Sequence, residues 1–456
     1  MRRPVWALHV FVVGLALHNF VMAELWDAGL RGSGLEVVSA WKEALLVAAL
    51  VLVAWKRRPL LPLRLTVVDW VALAYGVVVC VYAVLPQSAL GGGATHHGVL
   101  LALRHDLVPV GAYALGRGLA LRARELYAVG RTIVLTAVGV AIYGLVDVYA
   151  VPLSWWRHSG APGWFHDQLG FSYQGLSNLP ENFVYNTGNE HPLRRLVSTF
   201  LSPLATSYML VIALLACAVW WLRRRPRGRL VPVWLAVVAL LFAALLWTHS
   251  RSSYITLAIG LVAIAAVRGN VRDRLSLVAG GVAVLAVGAV FVKAFPHIGP
   301  STTFTRSELA YQRRHAHSAS GGAAVNGVSD ASTESHWRSF RDGVETVARH
   351  PQGFGLGNAG STAARTGVEI KAGESTYTEL GVETGVVGAL LFVAWSLALL
   401  GRTLPCVAWV GASFLAVLVL GLQTDVLGVP WLAYVLWALA GSSQRFSNDL
   451  STERLS

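Results

Sequence analysis

The chain has 456 residues, of which 55% are hydrophobic and only 13% are charged, and its mean hydropathy is +0.55. This composition excludes a soluble domain built around one buried core and predicts a polytopic membrane protein. The formal net charge of +13 is spread over short turns, which indicates contact with anionic lipid headgroups and not with nucleic acid.

Twelve apolar segments follow one another along the chain. A membrane-spanning helix needs about 20 mostly apolar residues, and such segments lie near 5–23, 36–55, 65–85, 98–119, 132–150, 197–222, 230–248, 253–267, 275–294, 376–400, 404–424 and 429–442. We therefore predict an all-α fold of about twelve transmembrane helices, forming one integral domain over residues 1–456. The first segment also fits a cleaved signal peptide, but its removal would break the charge alternation described next, so we count it as a helix.

Basic residues gather in every second connection between these segments. The N-terminal "MRR" and turns such as "KRRPLLPLR" and "RRRPRGR" lie on one side and hold more than half of the 37 Lys and Arg residues. Short turns on the other side hold only Arg31 and Arg251. Because Lys and Arg in short loops are retained in the cytoplasm, we expect both termini there. The three cysteines lie in or beside apolar segments, which argues against a disulfide framework or a metal cluster.

Two outside segments, 151–196 and 295–375, are too long to be simple turns, and loops of that length usually carry function. The first is rich in aromatic residues and amides, which suits contact with sugar rings or with the lipid interface. In the second, Trp337, Phe340 and Val344 recur at helical spacing, which predicts an amphipathic helix on the outer surface.

Arg104 begins the sequence "RHD", a turn or two inside the outer end of the fourth segment. Ionisable groups in or beside membrane spans are costly and are therefore functional candidates. Two interpretations stay open: Arg104 contacts substrate, or it pairs internally with Asp106 or a neighbouring helix.

Further basic residues lie at the same outer side. Arg194 and Arg195 precede the sixth segment, where a basic side chain either extends to the headgroups or binds an anion. Arg251 lies in the short turn "THSRSS" together with His249 and Ser250. Hydroxyl groups beside a guanidinium suit the oxygens of a phosphate.

Glu374 stands where the second long loop meets the tenth segment, in "GESTYTELGVETG". One interpretation is structural, because acids favour helix N-termini and "TYTE" resembles a capping box. The other is catalytic, because Glu374 and the arginines map to one side of the membrane. The arginines would neutralise a departing pyrophosphate, and the carboxylate would take the proton of an acceptor hydroxyl. With no Asp-x-Asp pair or His and carboxylate cluster on that side, we expect no metal ion or other cofactor.

Four sequences, in this order, resemble the O-antigen ligase and O-antigen polymerase superfamily of GT-C type bacterial inner-membrane glycosyltransferases. They are "STFLSPLATSYMLVIALL", "LLWTHSRSSYITLAIGLV", "WRSFRDGVETVARHPQGFGLGNAG" and "ESTYTELGVETGVVGALLF". The resemblance implies about twelve helices, a large periplasmic loop and an undecaprenyl-pyrophosphate-linked glycan as donor. It also implies a metal-independent reaction that inverts the anomeric centre.

The resemblance assigns roles to individual residues. It implies that Arg195, with Arg194 as the alternative, and Arg251 contact the pyrophosphate. The ligases carry a His eleven positions before a Gly at the start of the helix after the large loop, and here Glu374 stands eleven positions before Gly385. Glu374 is therefore the expected general base. Within or beside these sequences, we also expect substrate contacts from Tyr377, His336 and Arg338.

The glutamate in place of histidine leaves the acceptor open. A ligase would transfer the glycan to lipid A core or another surface molecule, as a glycolipid or glycan acceptor, whereas a polymerase would transfer it to a second lipid-linked repeat. A transporter of lipid-linked sugar is a third interpretation. It predicts polar residues at several depths along the spans, and the inner halves of the segments are nearly uncharged apart from Lys42 and Glu43.

Overall fold

The computed structural model describes residues 4–57, 65–187, 190–224, 228–316 and 330–453, and within them the chain is mainly helical. The helices of the first part are α1 (Trp6–Asp27), α2 (Ser33–Ser39), α3 (Trp41–Arg57), α4 (Val67–Val84), α5 (Gln87–Leu90), α6 (His96–Leu119), α7 (Ala123–Ala150), α8 (Leu153–His158) and α9 (Ala161–Gly163). The later helices are α10 (Pro203–Arg224), α11 (Leu230–Trp247), α12 (Arg251–Ala266), α13 (Val271–Ile298), α14 (Arg306–Ala316), α15 (Asp330–Arg349), α16 (Gly360–Thr366), α17 (Thr376–Cys406), α18 (Ala408–Leu420) and α19 (Trp437–Glu453).

Short irregular elements complete the architecture. Strands β1 (Val184–Tyr185) and β2 (Leu193–Arg194) pair in antiparallel fashion, with Val184 opposite Arg194. The 3-10 turns are Gln174–Leu176, Glu181–Phe183 and Ser198–Phe200, and the π-helical turns are Trp164–Gln168 and Leu432–Leu436. The basic turns at 58–64 and 225–227 lie outside the described residues.

The multi-pass character of the prediction is confirmed. Among the described residues, eight helices are long and apolar enough to cross a membrane, and the pair α2 and α3, bent by 41°, makes a ninth if it is one span. Helices α12 and α18 are apolar but shorter. The count of twelve spans stays a prediction.

The spans differ in how they face their surroundings. Helices α10 and α18 are largely buried by their neighbours, whereas α11 and α13 expose many apolar side chains, among them Val233, Val282 and Val290. A helix that is apolar on its exposed face fits a lipid environment. Helices α6 and α19 approach closely at Gly116, where an added Cβ would lie 2.0 Å from the Ala438 carbonyl oxygen. Small residues commonly permit such contacts between membrane helices.

The two long loops pack on each other at one end of the helices, which we call the loop end. Arg157 donates to both carboxylate oxygens of Glu308, at 3.0 and 2.7 Å, and Ser177 donates to the same carboxylate at 2.6 Å. The Arg194 amide donates to the Pro300 carbonyl at 2.8 Å. Loop 151–202 and the segment that follows α13 therefore form one layer over the bundle.

Helix α17 is broken near its start. Gly385 has φ +67° and ψ 178°, and the Val386 amide donates to the Pro351 carbonyl at 2.9 Å. The outer part of α17, residues 376–384, packs under α15, where Val347 lies against Gly381. Helix α15 occupies the region of the predicted amphipathic helix, but its apolar residues are divided between two surroundings. Val347 packs inward, and Trp337 remains 67% exposed.

Candidate functional site

Arg195 lies directly after β2 and is fixed beside the turn between α11 and α12. Its amide donates to the Phe183 carbonyl at 3.1 Å, and its Nε donates to the Thr248 carbonyl at 3.0 Å. Burial, and to a smaller extent the charge of Arg251, lowers the pKa of Arg195 to about 10. The guanidinium therefore remains a cation at neutral pH.

Arg251 is the first residue of α12, and its side chain is half-buried. Within the described part of the chain, neither Arg251 nor Arg195 forms an ion pair with a carboxylate. Two neighbouring guanidinium groups without a counter-charge favour an anion between them. We call this place the arginine corner. The structure thus brings together the two cations that the sequence predicted for pyrophosphate.

His249 adjoins the arginine corner. Its ring stacks on Phe295 with centroids 4.4 Å apart, and it lies 4.6 Å from the ring of Tyr185. Burial, followed by the charges of Arg195 and Arg251, lowers the pKa of His249 to about 3. Its Nε2 is buried and has no hydrogen-bond partner among the described residues. A neutral imidazole with an unused nitrogen is thus available at the corner.

Ser250 serves mainly to hold the turn in place. Its hydroxyl lies 2.8 Å from the hydroxyl of Ser253, which in turn lies 2.7 Å from that of Ser207 on α10. This row of hydroxyl groups ties the start of α12, and hence Arg251, to α10. The substrate contact expected of Ser250 stays a prediction.

Arg194 has a different environment from Arg195. Its Nη2 donates to Asp147 Oδ2 at 3.1 Å and its Nη1 to the Val151 carbonyl at 3.2 Å, and the side chain is only 3% exposed. Trp156 donates to the other oxygen of Asp147 at 2.6 Å. Because successive side chains of an extended strand point to opposite sides, Arg195 alone is left to face the turn. Arg194 is part of a buried structural network.

Glu374 is exposed and has a positive φ of 71°, just before the N-cap Ser375 of α17. The start of α17 is fixed to the turn after α18, since Ser375 Oγ donates to the Gly421 carbonyl at 3.0 Å and Thr376 Oγ1 to the Thr424 carbonyl at 3.1 Å. The buried hydroxyl of Tyr208 lies beside Thr424 and within electrostatic range of Arg195. These contacts connect the start of α17 with the arginine corner.

The remaining predicted side chains lie elsewhere. The Tyr377 hydroxyl donates to the Leu418 carbonyl at 2.7 Å, which fastens α17 to α18. Arg104 is 43% exposed and lines a separate cavity, with its Nε 3.6 Å from Glu43 Oε1. Arg338 is exposed on α15, and the side chain of His336 lies outside those described. The structure therefore places Tyr377 and Arg104 outside the arginine corner, and the substrate contacts expected of Arg338 and His336 stay predictions.

Sequence reasoning missed a buried group of titratable side chains. His105 lies between two carboxylates, with Nδ1 2.7 Å from Asp106 Oδ1 and Nε2 3.0 Å from Asp425 Oδ2. Glu379 and Glu383 on α17 surround the same place, and Glu383 accepts from the Gly357 amide at 2.9 Å. The signal for this group in the sequence was a lone acid at the end of an apolar run, such as Asp425 in "LQTDVLG". Among the side chains described, no three are placed to hold a metal ion.

The fold and the arginine corner together describe a multi-pass membrane protein with two neighbouring guanidinium groups at its loop end. Residues 236–393 match the family model described as O-antigen ligase, and this match supports membership of that family. The matched stretch contains Arg251 and Glu374 and begins after Arg195. The sequence matches none of the curated proteins with which it was compared. The family resemblance given by the sequence is thereby confirmed.

Proposed function

We propose that the protein is a membrane glycosyltransferase that moves a glycan from an undecaprenyl-pyrophosphate carrier to the hydroxyl group of an acceptor. The observation that carries the proposal is that Arg195 and Arg251 are neighbours without a carboxylate partner among the described residues, in a chain that matches the O-antigen ligase family. Such a pair suits a pyrophosphate, which carries several negative charges on oxygens that accept hydrogen bonds.

In the proposed reaction, the acceptor oxygen attacks the anomeric carbon on the face opposite the carrier. The new C–O bond forms as the bond from that carbon to the pyrophosphate oxygen breaks, so the configuration is inverted. Arg195 and Arg251 stabilise the charge that develops on the pyrophosphate, which leaves as an anion. Glu374 takes the proton from the acceptor hydroxyl. The arginines supply the positive charge that a metal ion supplies in other transferases.

We further propose that the loop end faces the periplasm of a bacterial inner membrane and that both termini are cytoplasmic. The concentration of Lys and Arg in the opposite set of turns supports this orientation. The donor's lipid tail would then lie in the outer leaflet beside the exposed apolar faces of the spans.

A transfer assay in proteoliposomes tests the proposed function. With a lipid-linked glycan and an acceptor, Arg251→Ala and Glu374→Gln should each reduce transfer at least a hundredfold, as losses of charge stabilisation and of a base typically do. Arg306→Ala is the matched control for Arg251, because Arg306 also begins a helix but is exposed. Glu369→Gln is the control for Glu374, since Glu369 is 79% exposed in the same loop. Normal turnover in both site variants would contradict the proposal.

A polymerase is the second candidate, favoured by Glu374 standing where the ligases have histidine. The two activities differ in their products. A polymerase makes a ladder of repeats on the lipid carrier, whereas a ligase moves the glycan to a different anchor. Separation of the products on a gel, with and without a second acceptor, distinguishes them.

A further inference from the structure

A polar cavity of about 480 Å³ opens at the loop end, apart from the arginine corner. Helices α3 and α6 form one wall, and residues 164–173 together with α16 form the other. Leu427 and Gly428 also line it. Among the described residues, those that line the cavity do not include Arg195, His249 or Arg251.

Two arginines from distant parts of the chain open into the polar cavity. Arg104 comes from α6, and its closest acid is Glu43, 3.6 Å from Nε. Arg365 comes from α16, donates through Nε to the Leu169 carbonyl at 2.6 Å, and lies 5.6 Å from the centroid of the Phe171 ring. Within the described residues, the terminal nitrogens of both side chains have no hydrogen-bond partner. Each guanidinium therefore keeps donors for a ligand.

The charges around these donors are unbalanced. Burial, and then the charge of Arg104, lowers the pKa of Arg365 to about 10, so the Arg365 guanidinium remains a cation at neutral pH. The buried Lys42 adds a third positive charge, while the carboxylates that line the cavity are those of Glu36 and Glu43. Lys42 is already held by the Ser39 carbonyl at 2.7 Å. The positive charges that remain available to an anionic ligand are thus those of Arg104 and Arg365.

Aromatic rings complete the wall next to Arg365. Phe171 and Tyr173 stack with centroids 5.4 Å apart at 15°, and Trp164 also lines the cavity. A cavity of a few hundred Å³ that combines aromatic walls with a few polar groups is the usual form of a small-ligand site. Apolar ring faces and paired guanidinium groups together fit a ligand with a ring and a negative charge.

We propose that the polar cavity binds an acidic sugar of the acceptor and holds its carboxylate or phosphate between Arg104 and Arg365. The proposal rests on the proposed function, because the donor's pyrophosphate is assigned there to the arginine corner. An anion bound in the polar cavity then belongs to the second substrate. This would make Arg104 and Arg365 residues that determine acceptor specificity.

Direct binding tests the proposal without turnover. Arg251→Ala protein in nanodiscs of phosphatidylcholine is titrated calorimetrically with glucose 1-phosphate, glucuronic acid and glucose. We expect the two acids to bind at least tenfold more tightly than glucose, and Arg365→Gln and Arg104→Gln to abolish that difference. Arg104→Lys, which keeps the charge, should retain part of it, and Arg306→Gln should leave it unchanged. Equal binding of glucose, or acid binding that survives in both Gln variants with unchanged melting temperature, would overturn the proposal.

A phospholipid headgroup also carries a phosphate. A second part of the experiment therefore distinguishes a bound lipid from a bound sugar phosphate. Nanodiscs that contain phosphatidylglycerol should leave the binding of glucose 1-phosphate unchanged. If phosphatidylglycerol instead displaces the sugar phosphate, and Arg365→Gln removes that competition, the occupant is a lipid and the acceptor assignment is wrong. These outcomes are independent of the transfer assay, so failure of the proposed function and failure of this proposal are distinguishable.

Discussion

Arg194 and Asp147 form a buried ion pair, with the guanidinium donating to the carboxylate at 3.1 Å and both side chains less than 4% exposed. The pair joins strand β2 to the end of α7. Its neighbour Arg195 makes no such pair with a described carboxylate and contacts the turn before α12 instead. Two adjacent arginines therefore have separable tasks, one in stability and one at the arginine corner.

The first prediction concerns this division. Arg194→Ala should lower the free energy of unfolding by about 3–5 kcal/mol, because it leaves the charge of Asp147 buried without its partner. Arg195→Ala should cost far less stability and should abolish transfer. Melting temperature in detergent, measured beside the transfer assay, checks both statements. An Arg194→Ala variant that melts like the wild type would show that the ion pair does not hold β2 on α7.

The second prediction concerns pH. The pKa of His249 is about 3 in the folded protein and about 6.5 in an unfolded chain. Between these values the unfolded state binds the additional proton, so the contribution of His249 to stability is present above about pH 6.5 and is lost as the pH falls. Lowering the pH from 7 to 5 should cost about 2 kcal/mol through this group alone.

His249→Asn removes the titrating ring. Asparagine, like histidine, tolerates the positive φ of 51° at this position. Its melting temperature should fall less between pH 7 and pH 5 than that of the wild type. His96→Asn, at an exposed histidine that begins α6, should retain the wild-type dependence. If the melting temperatures of all three proteins fell equally between pH 7 and pH 5, the low pKa of His249 in the folded protein would be refuted.

The third prediction concerns the break in α17. A Cβ added at Gly385 would lie 2.8 Å from the Pro351 carbonyl oxygen, and the backbone there has a positive φ. Gly385→Ala should therefore destabilise the protein by about 1–3 kcal/mol and displace the outer part of the helix. Gly401→Ala, in the same helix but with nothing within 4 Å of an added Cβ, should be neutral or slightly stabilising. Thermal melting of the two variants provides the comparison.

The fourth prediction concerns the loop layer. Glu308 is 1% exposed and accepts hydrogen bonds from Arg157 and Ser177, so Glu308→Gln removes the negative charge that faces Arg157 and one of the two acceptor oxygens. We expect a loss of about 1–3 kcal/mol and faster tryptic cleavage within the two long loops. Glu190→Gln breaks the exposed pair with Arg313 and should change stability by less than about 0.5 kcal/mol. Similar digestion patterns for both variants would contradict a stabilising role of Glu308.

Local sequence patterns predicted most of the helices but not every helix boundary. The sixth apolar segment, predicted from 197, becomes helix α10 only at Pro203. Before it, Ser198 and Thr199 donate to carbonyls of α7 and α1 at 2.7 Å each, in a 3-10 turn. Hydroxyl side chains that satisfy carbonyls of other helices are not visible in hydropathy.

The candidate site was predictable where its residues lie in one turn. Arg251 and His249 could be grouped from the sequence because they stand two positions apart. The distinction between Arg194 and Arg195 could not be made, because it depends on Asp147, an acid within an apolar segment. Nor could the polar cavity be foreseen. Its two arginines, Arg104 and Arg365, become neighbours only through the packing of α16 against α6.

The break at Gly385 also determines how α17 fits a bilayer. An unbroken helix of 31 residues would be about 46 Å long at 1.5 Å per residue, well beyond a hydrocarbon thickness of about 30 Å. The part after Gly385, residues 386–406, is about 31 Å long by the same rise, which matches that thickness. The break at Gly385 therefore leaves one helix of membrane-spanning length after it. In the orientation proposed above, we expect Glu374 and the outer part of α17 to lie beyond the hydrocarbon layer, on the side of the long loops.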